Sequence, residues 1–160
     1  MLKSASILSA AVLAAAGLAA PASAATFTPN PLSNVTFTGN LTIQQPGSIV
    51  TCGVTLTGFV PGGGSMVVIT QALFSGSWQC SALVAPTGLP WYLHPNTTTS
   101  VTLQGIGLKT MVGSCSGTVN TGWINGSPGK IDFVGVTIPG SPGACTVTGA
   151  LNSSPSLTII

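Results

Sequence analysis

The chain has 160 residues, of which three are Lys or Arg, one is Asp or Glu and one is His. A soluble domain ordinarily carries charge on about a quarter of its residues. Recognition of nucleic-acid phosphates or anionic lipid headgroups needs clustered Lys and Arg and is excluded by composition, as are a two-carboxylate glycosidase and a carboxylate-rich calcium site, because Asp132 is the one acidic residue.

The N-terminus has the three parts of a secretory leader: Lys3 as the positive region, an apolar stretch from Ile7 to Ala20, and small residues at Ala22 and Ala24. Cleavage is expected after Ala24, with Ala25 as second choice. This reading makes 1–24 a signal-peptide helix and 25–160 one domain, secreted or held in a periplasmic or extracellular space. The apolar stretch is shorter than the roughly 20 residues a spanning helix needs. No later segment reads as a membrane-spanning helix, so no integral span is expected after cleavage.

From there on, apolar and polar residues alternate with period two, the mark of strands with one face on a core. Val35 and Phe37 alternate with Thr36 and Thr38, and Leu41 and Ile43 flank Thr42. Val50, Cys52, Val54, Leu56 and Gly58 form an in-phase set, with Thr51, Thr55 and Thr57 between. Cys115, Gly117, Val119, Thr121 and Trp123 form a set of mixed polarity; Cys145, Val147, Gly149 and Leu151 form another. Turn signals separate these runs at 61–64, at Ser75-Gly76, at His94-Pro95-Asn96, at 125–129 and at 139–143. Asn125-Gly126 marks a hairpin with a loop longer than two residues. Stiff β-branched Thr, Val and Ile dominate, and no stretch after the leader has a helical period. The expected fold is all-β, an antiparallel β-sandwich of Greek-key or jelly-roll type with two disulfides. The likeness of the Cys52–Gly58 and Cys145–Leu151 runs is of the kind any Thr/Val/Gly-rich strands share.

Cys52, Cys80, Cys115 and Cys145 all follow the leader, and an even number in a small exported domain reads as two disulfides. Three connectivities exist and sequence does not decide among them. Cys52–Cys80 with Cys115–Cys145 is favoured, since each pair then staples neighbouring strands at similar separation. A metal site is not expected, as there is no C-x-x-C pair and His94 is distant.

Catalysis by acid–base or nucleophilic routes needs groups that exchange protons, and His94 and Asp132 have no motif context that would make a triad with a serine. No enzymatic activity, catalytic residue or cofactor is expected. The Asn-x-Ser/Thr triplets at Asn34, Asn40, Asn96, Asn125 and Asn152 arise readily in so Asn- and Thr-rich a chain and carry no weight. Pro86-Thr-Gly-Leu-Pro-Trp91-Tyr92 is the most distinctive stretch. Trp91 and Tyr92 form a candidate apolar contact surface; the competing reading has Trp91 filling the core opposite a disulfide. Trp78 and Trp123 are undecided between surface and core.

Ala25-Thr-Phe-Thr-Pro29, Thr51-Cys52-Gly-Val-Thr-Leu56, Pro86 to Trp91, the Cys115 to Trp123 strand and the closing Cys145-Thr-Val-Thr148 resemble the PraB family of secreted bacterial activators of alkane oxidation. The resemblance implies a non-enzymatic extracellular protein that helps cells use hydrocarbon, by contact or dispersal. Its partners would be hydrophobic small molecules or a hydrocarbon interface. A different reading is a structural or adhesive surface subunit: weak net charge favours self-association, and the apolar Leu157-Thr-Ile-Ile160 could pair edge to edge.

Overall fold

The computed structural model describes residues 24–160, so the expected leader and its helix lie, apart from Ala24, outside the described residues. Eight long strands carry the fold: β2 (Leu32–Gln45), β3 (Ser48–Val60), β4 (Val67–Ser75), β6 (Trp91–Thr97), β7 (Ser100–Lys109), β8 (Ser114–Ile124), β9 (Lys130–Ile138) and β11 (Cys145–Ser154). Between them lie a short helix, α1 (Trp78–Leu83), and the two-residue strands β5 (Ala85–Pro86) and β10 (Gly140–Ser141). The outermost strands are β1 (Phe27–Thr28) and β12 (Thr158–Ile159).

Each long strand pairs antiparallel with the next one in the chain, and β11 then pairs with β2 from Thr146↔Gln44 to Ser154↔Thr36. The sheet therefore closes on itself as an eight-stranded up-and-down barrel. This corrects the expected sandwich. Alternating strands and hairpin turns are common to both architectures, and what separates them is a pairing between the first and last long strands. Greek-key crossovers do not occur among these strands.

The alternation acts as the sequence suggests. Val35, Phe37, Leu41, Ile43, Val54 and Leu56 are buried in the lumen, whereas Thr36, Thr38, Thr42, Thr51, Thr55 and Thr57 point out from the same strands. Outward hydroxyls meet across the ladder, as in the Thr42–Thr51 contact of 2.8 Å. Greasy inside and hydroxylated outside is the reverse of the pattern lipid demands of a barrel wall. Thr121 accounts for the mixed polarity of the Cys115 set: it is buried, and its hydroxyl donates to the Asp132 carbonyl.

One turn expectation needs adjustment, and one turn falls outside those expected. His94-Pro95-Asn96 does not end its strand; β6 runs through it with a register irregularity after Pro95, a position that tolerates the missing N–H. The turn falls instead between Thr97 and Ser100. The β2–β3 turn is Pro46-Gly47, with Gly47 at φ +88°, the Pro-Gly order of a type II turn. Asn125 to Gly129 form the longer loop expected between β8 and β9.

The barrel has two unlike ends. At the terminal end, β1 and β12 form a separate two-stranded sheet, Phe27↔Ile159 and Thr28↔Thr158. Its edges are occupied. Phe27 N–H donates to the Gly64 carbonyl at 2.8 Å, and its own carbonyl accepts from Asn30 Nδ2 at 2.6 Å. Ile159 N–H donates to Asn125 Oδ1 at 2.7 Å, and its carbonyl accepts from Asn125 Nδ2 at 2.9 Å. The apolar C-terminal run that could have paired edge to edge thus spends its backbone groups within the chain. Beneath it, Trp123 packs edge-on against Phe27 at 5.4 Å and Phe37 at 6.5 Å.

Candidate contact site at the helix end

The opposite end gathers the β2–β3 turn, α1, the β7–β8 loop and the connection from β9 to β11. Both disulfides brace it. Cys52 on β3 joins Cys80 on α1, and Cys115 on β8 joins Cys145 on β11, with Cα separations of 5.5 and 6.0 Å. Gln45 ties three of the segments together from a buried position: its amide nitrogen, Nε2, donates to the carbonyls of Gly143 at 2.9 Å and Ser141 at 3.3 Å, and its Oε1 accepts from the Thr110 hydroxyl. A buried amide left without partners would cost about 1–3 kcal/mol; here both polar atoms of the Gln45 side chain are used.

α1 escapes a periodicity search because six residues make less than two turns. Cys80 is its buried residue, which pins the helix on the barrel mouth. Trp78, at its first position, faces water with 69% exposure. A shallow groove runs beside the helix, lined by Val50, Gln79, Leu83, Val84 and Met111 and floored by Ile43. Ile49 and Met111 are also more than half exposed. No charged side chain lines the groove. A rim of apolar side chains set in water by cross-linked loops is a surface suited to contact with an apolar phase.

The lumen has no room for a ligand. Twelve side chains, all aliphatic or aromatic, surround a gap of about 20 Å³ between them, space for little more than the centre of one water-sized sphere. Small-molecule pockets are typically about 300–1,000 Å³. The interior is a packed core.

Trp91 belongs to that core, at 1% exposure, with its indole N–H donating to the Thr87 carbonyl at 2.8 Å. Tyr92 faces solvent on the outer wall. Adjacent residues of a strand point to opposite sides, so the structure does not bring Trp91 and Tyr92 together on one surface. Trp123 is buried, and Trp78 is the exposed tryptophan. Sequence reasoning did not single out Trp78 and Met111 as exposed apolar residues of this end, because they lie on two separate connections. His94 and Asp132 stand on β6 and β9, three strands apart around the barrel, about 14 Å by the interstrand spacing, and form no shared site.

Fold and site together define a small disulfide-braced β-barrel with a filled lumen and one apolar rim. The chain belongs to the PraA/PraB-like alkane oxidation protein activator family, whose sequence model matches residues 1–160. No curated protein and no solved structure shows a significant match to it.

Proposed function

We propose that this protein is a non-enzymatic, exported activator of alkane use that touches hydrocarbon through the helix end of its barrel. The observation that carries the reading is the groove beside α1, lined by Val50, Leu83, Val84 and Met111 with no charged side chain, and Trp78 exposed on the same helix. Transfer of the exposed Met111 side chain from water to an alkane phase is worth about 1.5–3 kcal/mol, and the neighbouring exposed Lys109 can keep its ammonium in water at the end of its flexible stem. The family's connection with alkane oxidation supplies the apolar phase. A packed lumen disfavours a carrier that encloses its cargo, so contact or dispersal at an interface fits better than transport. Two disulfides suit an oxidising compartment outside the cytoplasm.

Drop tensiometry at a water–hexadecane interface tests this. Purified protein is expected to lower the interfacial tension, and a Trp78→Ser, Met111→Ser variant of unchanged fold to lower it much less. Behaviour like that of an unrelated secreted β protein, or full activity in the variant, overturns the reading.

A further inference from the structure

On the outer wall, Phe59, Val68, Tyr92 and Gln104 are register partners on four successive strands, β3, β4, β6 and β7. They therefore make one straight row across the sheet. Phe59 and Tyr92 are 39% and 36% exposed, and they stand two interstrand steps apart, about 10 Å, the scale of a disaccharide unit. His94 extends the row along β6: its ring lies 6.5 Å from that of Tyr92, with the planes 30° apart.

Beside these rings is a polar cluster. Thr102 is opposite His94, and Asn120 is opposite Thr102. The Thr102 hydroxyl bonds Asn120 Oδ1 at 2.6 Å and the side chain of Asn96 at 2.9 and 3.1 Å. That arrangement occupies the carbonyl of Asn120 and leaves its Nδ2 hydrogens, with the exposed Gln104 amide, for a ligand. No Lys or Arg belongs to this cluster, since Lys109 ends β7 at the helix end and Lys130 starts β9; the nearest charge is Asp132, which lines an outer groove with Asn120.

We infer that this face is a binding site for a neutral polysaccharide. Aromatic rings present apolar faces to the C–H face of a pyranose while amides meet its hydroxyls, and Tyr combines both capacities. Two rings a disaccharide apart engage alternate sugars of an extended chain. The lack of Lys and Arg here, with Asp132 beside Asn120, selects against acidic glycans. Phe59 and Tyr92 lie away from the helix end, so the molecule can hold a glycan by its wall while its rim meets an apolar phase. The inference stands independently of the reading of that rim.

Affinity electrophoresis of the full purified chain in native gels cast with hydroxyethyl cellulose or dextran is the test. Retarded migration is expected with at least one of them. Phe59→Ala and Tyr92→Ala should each weaken it by about tenfold, the loss of one ring contact, with Tyr92→Phe keeping most of it and Trp78→Ala all of it. Both substituted rings are on the outside, and an unchanged thermal transition checks the fold. Migration unaffected by either polymer, retardation indifferent to Tyr92→Ala, stronger retardation by a sulfated polymer, or slowing that depends on protein concentration alone would each overturn the inference.

Discussion

The side-chain amide of Asn125 bonds both backbone groups of Ile159, accepting from its N–H at 2.7 Å and donating to its carbonyl at 2.9 Å. The same Oδ1 accepts from Trp123 Nε1 at 2.7 Å. One amide thereby stands in for a neighbouring strand and fixes the C-terminal segment over the tryptophan that plugs the terminal end.

Asn125→Ala strips partners from three groups at once. Each buried unpaired group costs about 1–3 kcal/mol, and water reaching the edge softens the sum, so a loss of about 2–3 kcal/mol is expected in urea unfolding. Asn125→Asp keeps the acceptor for the N–H groups but sets a carboxylate against the Ile159 carbonyl; it should fall between alanine and wild type. Trp123 emission should shift to the red in Asn125→Ala. An unchanged unfolding midpoint would show the clamp to be idle.

The two disulfides close segments with sequence separations of 28 and 30. On the chain-entropy account each is worth about 3–4 kcal/mol. Replacing Cys52 and Cys80 by Ala should cost that much and also free α1, so interfacial activity falls together with stability. Replacing Cys115 and Cys145 should lower stability by a similar amount while Trp78 keeps its place. Peptide mapping without reductant, followed by denaturant titration and tensiometry of both variants, separates these effects.

A packed lumen makes its own forecast. Leu103 is 1% exposed inside the barrel. Leu103→Ala should destabilise by about 2–5 kcal/mol and open a dry cavity, and apolar cavities of that kind bind benzene or xenon. Wild-type protein should take up neither in calorimetry or xenon-shift NMR. Stoichiometric uptake by the wild type would contradict the filled interior.

Alternation in β2, β3, β8 and β11 was legible because a one-residue error would turn every side chain to the wrong face. The cysteine pairing that strand spacing favoured without deciding, Cys52–Cys80 with Cys115–Cys145, is the one observed. Closure was not legible: whether the last long strand meets the first depends on twist and tilt accumulated over eight strands, which no local pattern records. β4, β6 and β9 left weaker traces, since outward Leu73, Tyr92 and Val134 blur their alternation. The rim at the helix end was invisible for a related reason. Val50, Leu83, Val84 and Met111 come from β3, the α1 segment and the β7–β8 loop, and line one groove only in the folded barrel.

Glycine placement gives a paired test of how closely the strands approach. A Cβ at Gly58 would strike the Val68 carbonyl oxygen and come within 3.0 Å of Ile69 Cα, all backbone that cannot step aside. Gly58→Ala should therefore cost about 1–3 kcal/mol. Gly62→Ala, with nothing within 4 Å of its Cβ, should change stability by less than about 0.5 kcal/mol. Thermal melts of the two side by side decide it.

The seam between β2 and β11 joins residues as far apart as Thr36 and Ser154, a separation of 118. A ribosome delivers the first of these long before the last, so the ring stays open until almost the whole polypeptide has been made. Loop-closure entropy must be met before that seam returns any stabilisation, which makes such topologies slow to fold. Until then the molecule is a curled ribbon whose oily inner side is uncovered, and whatever handles it in the meantime must keep that side from its neighbours.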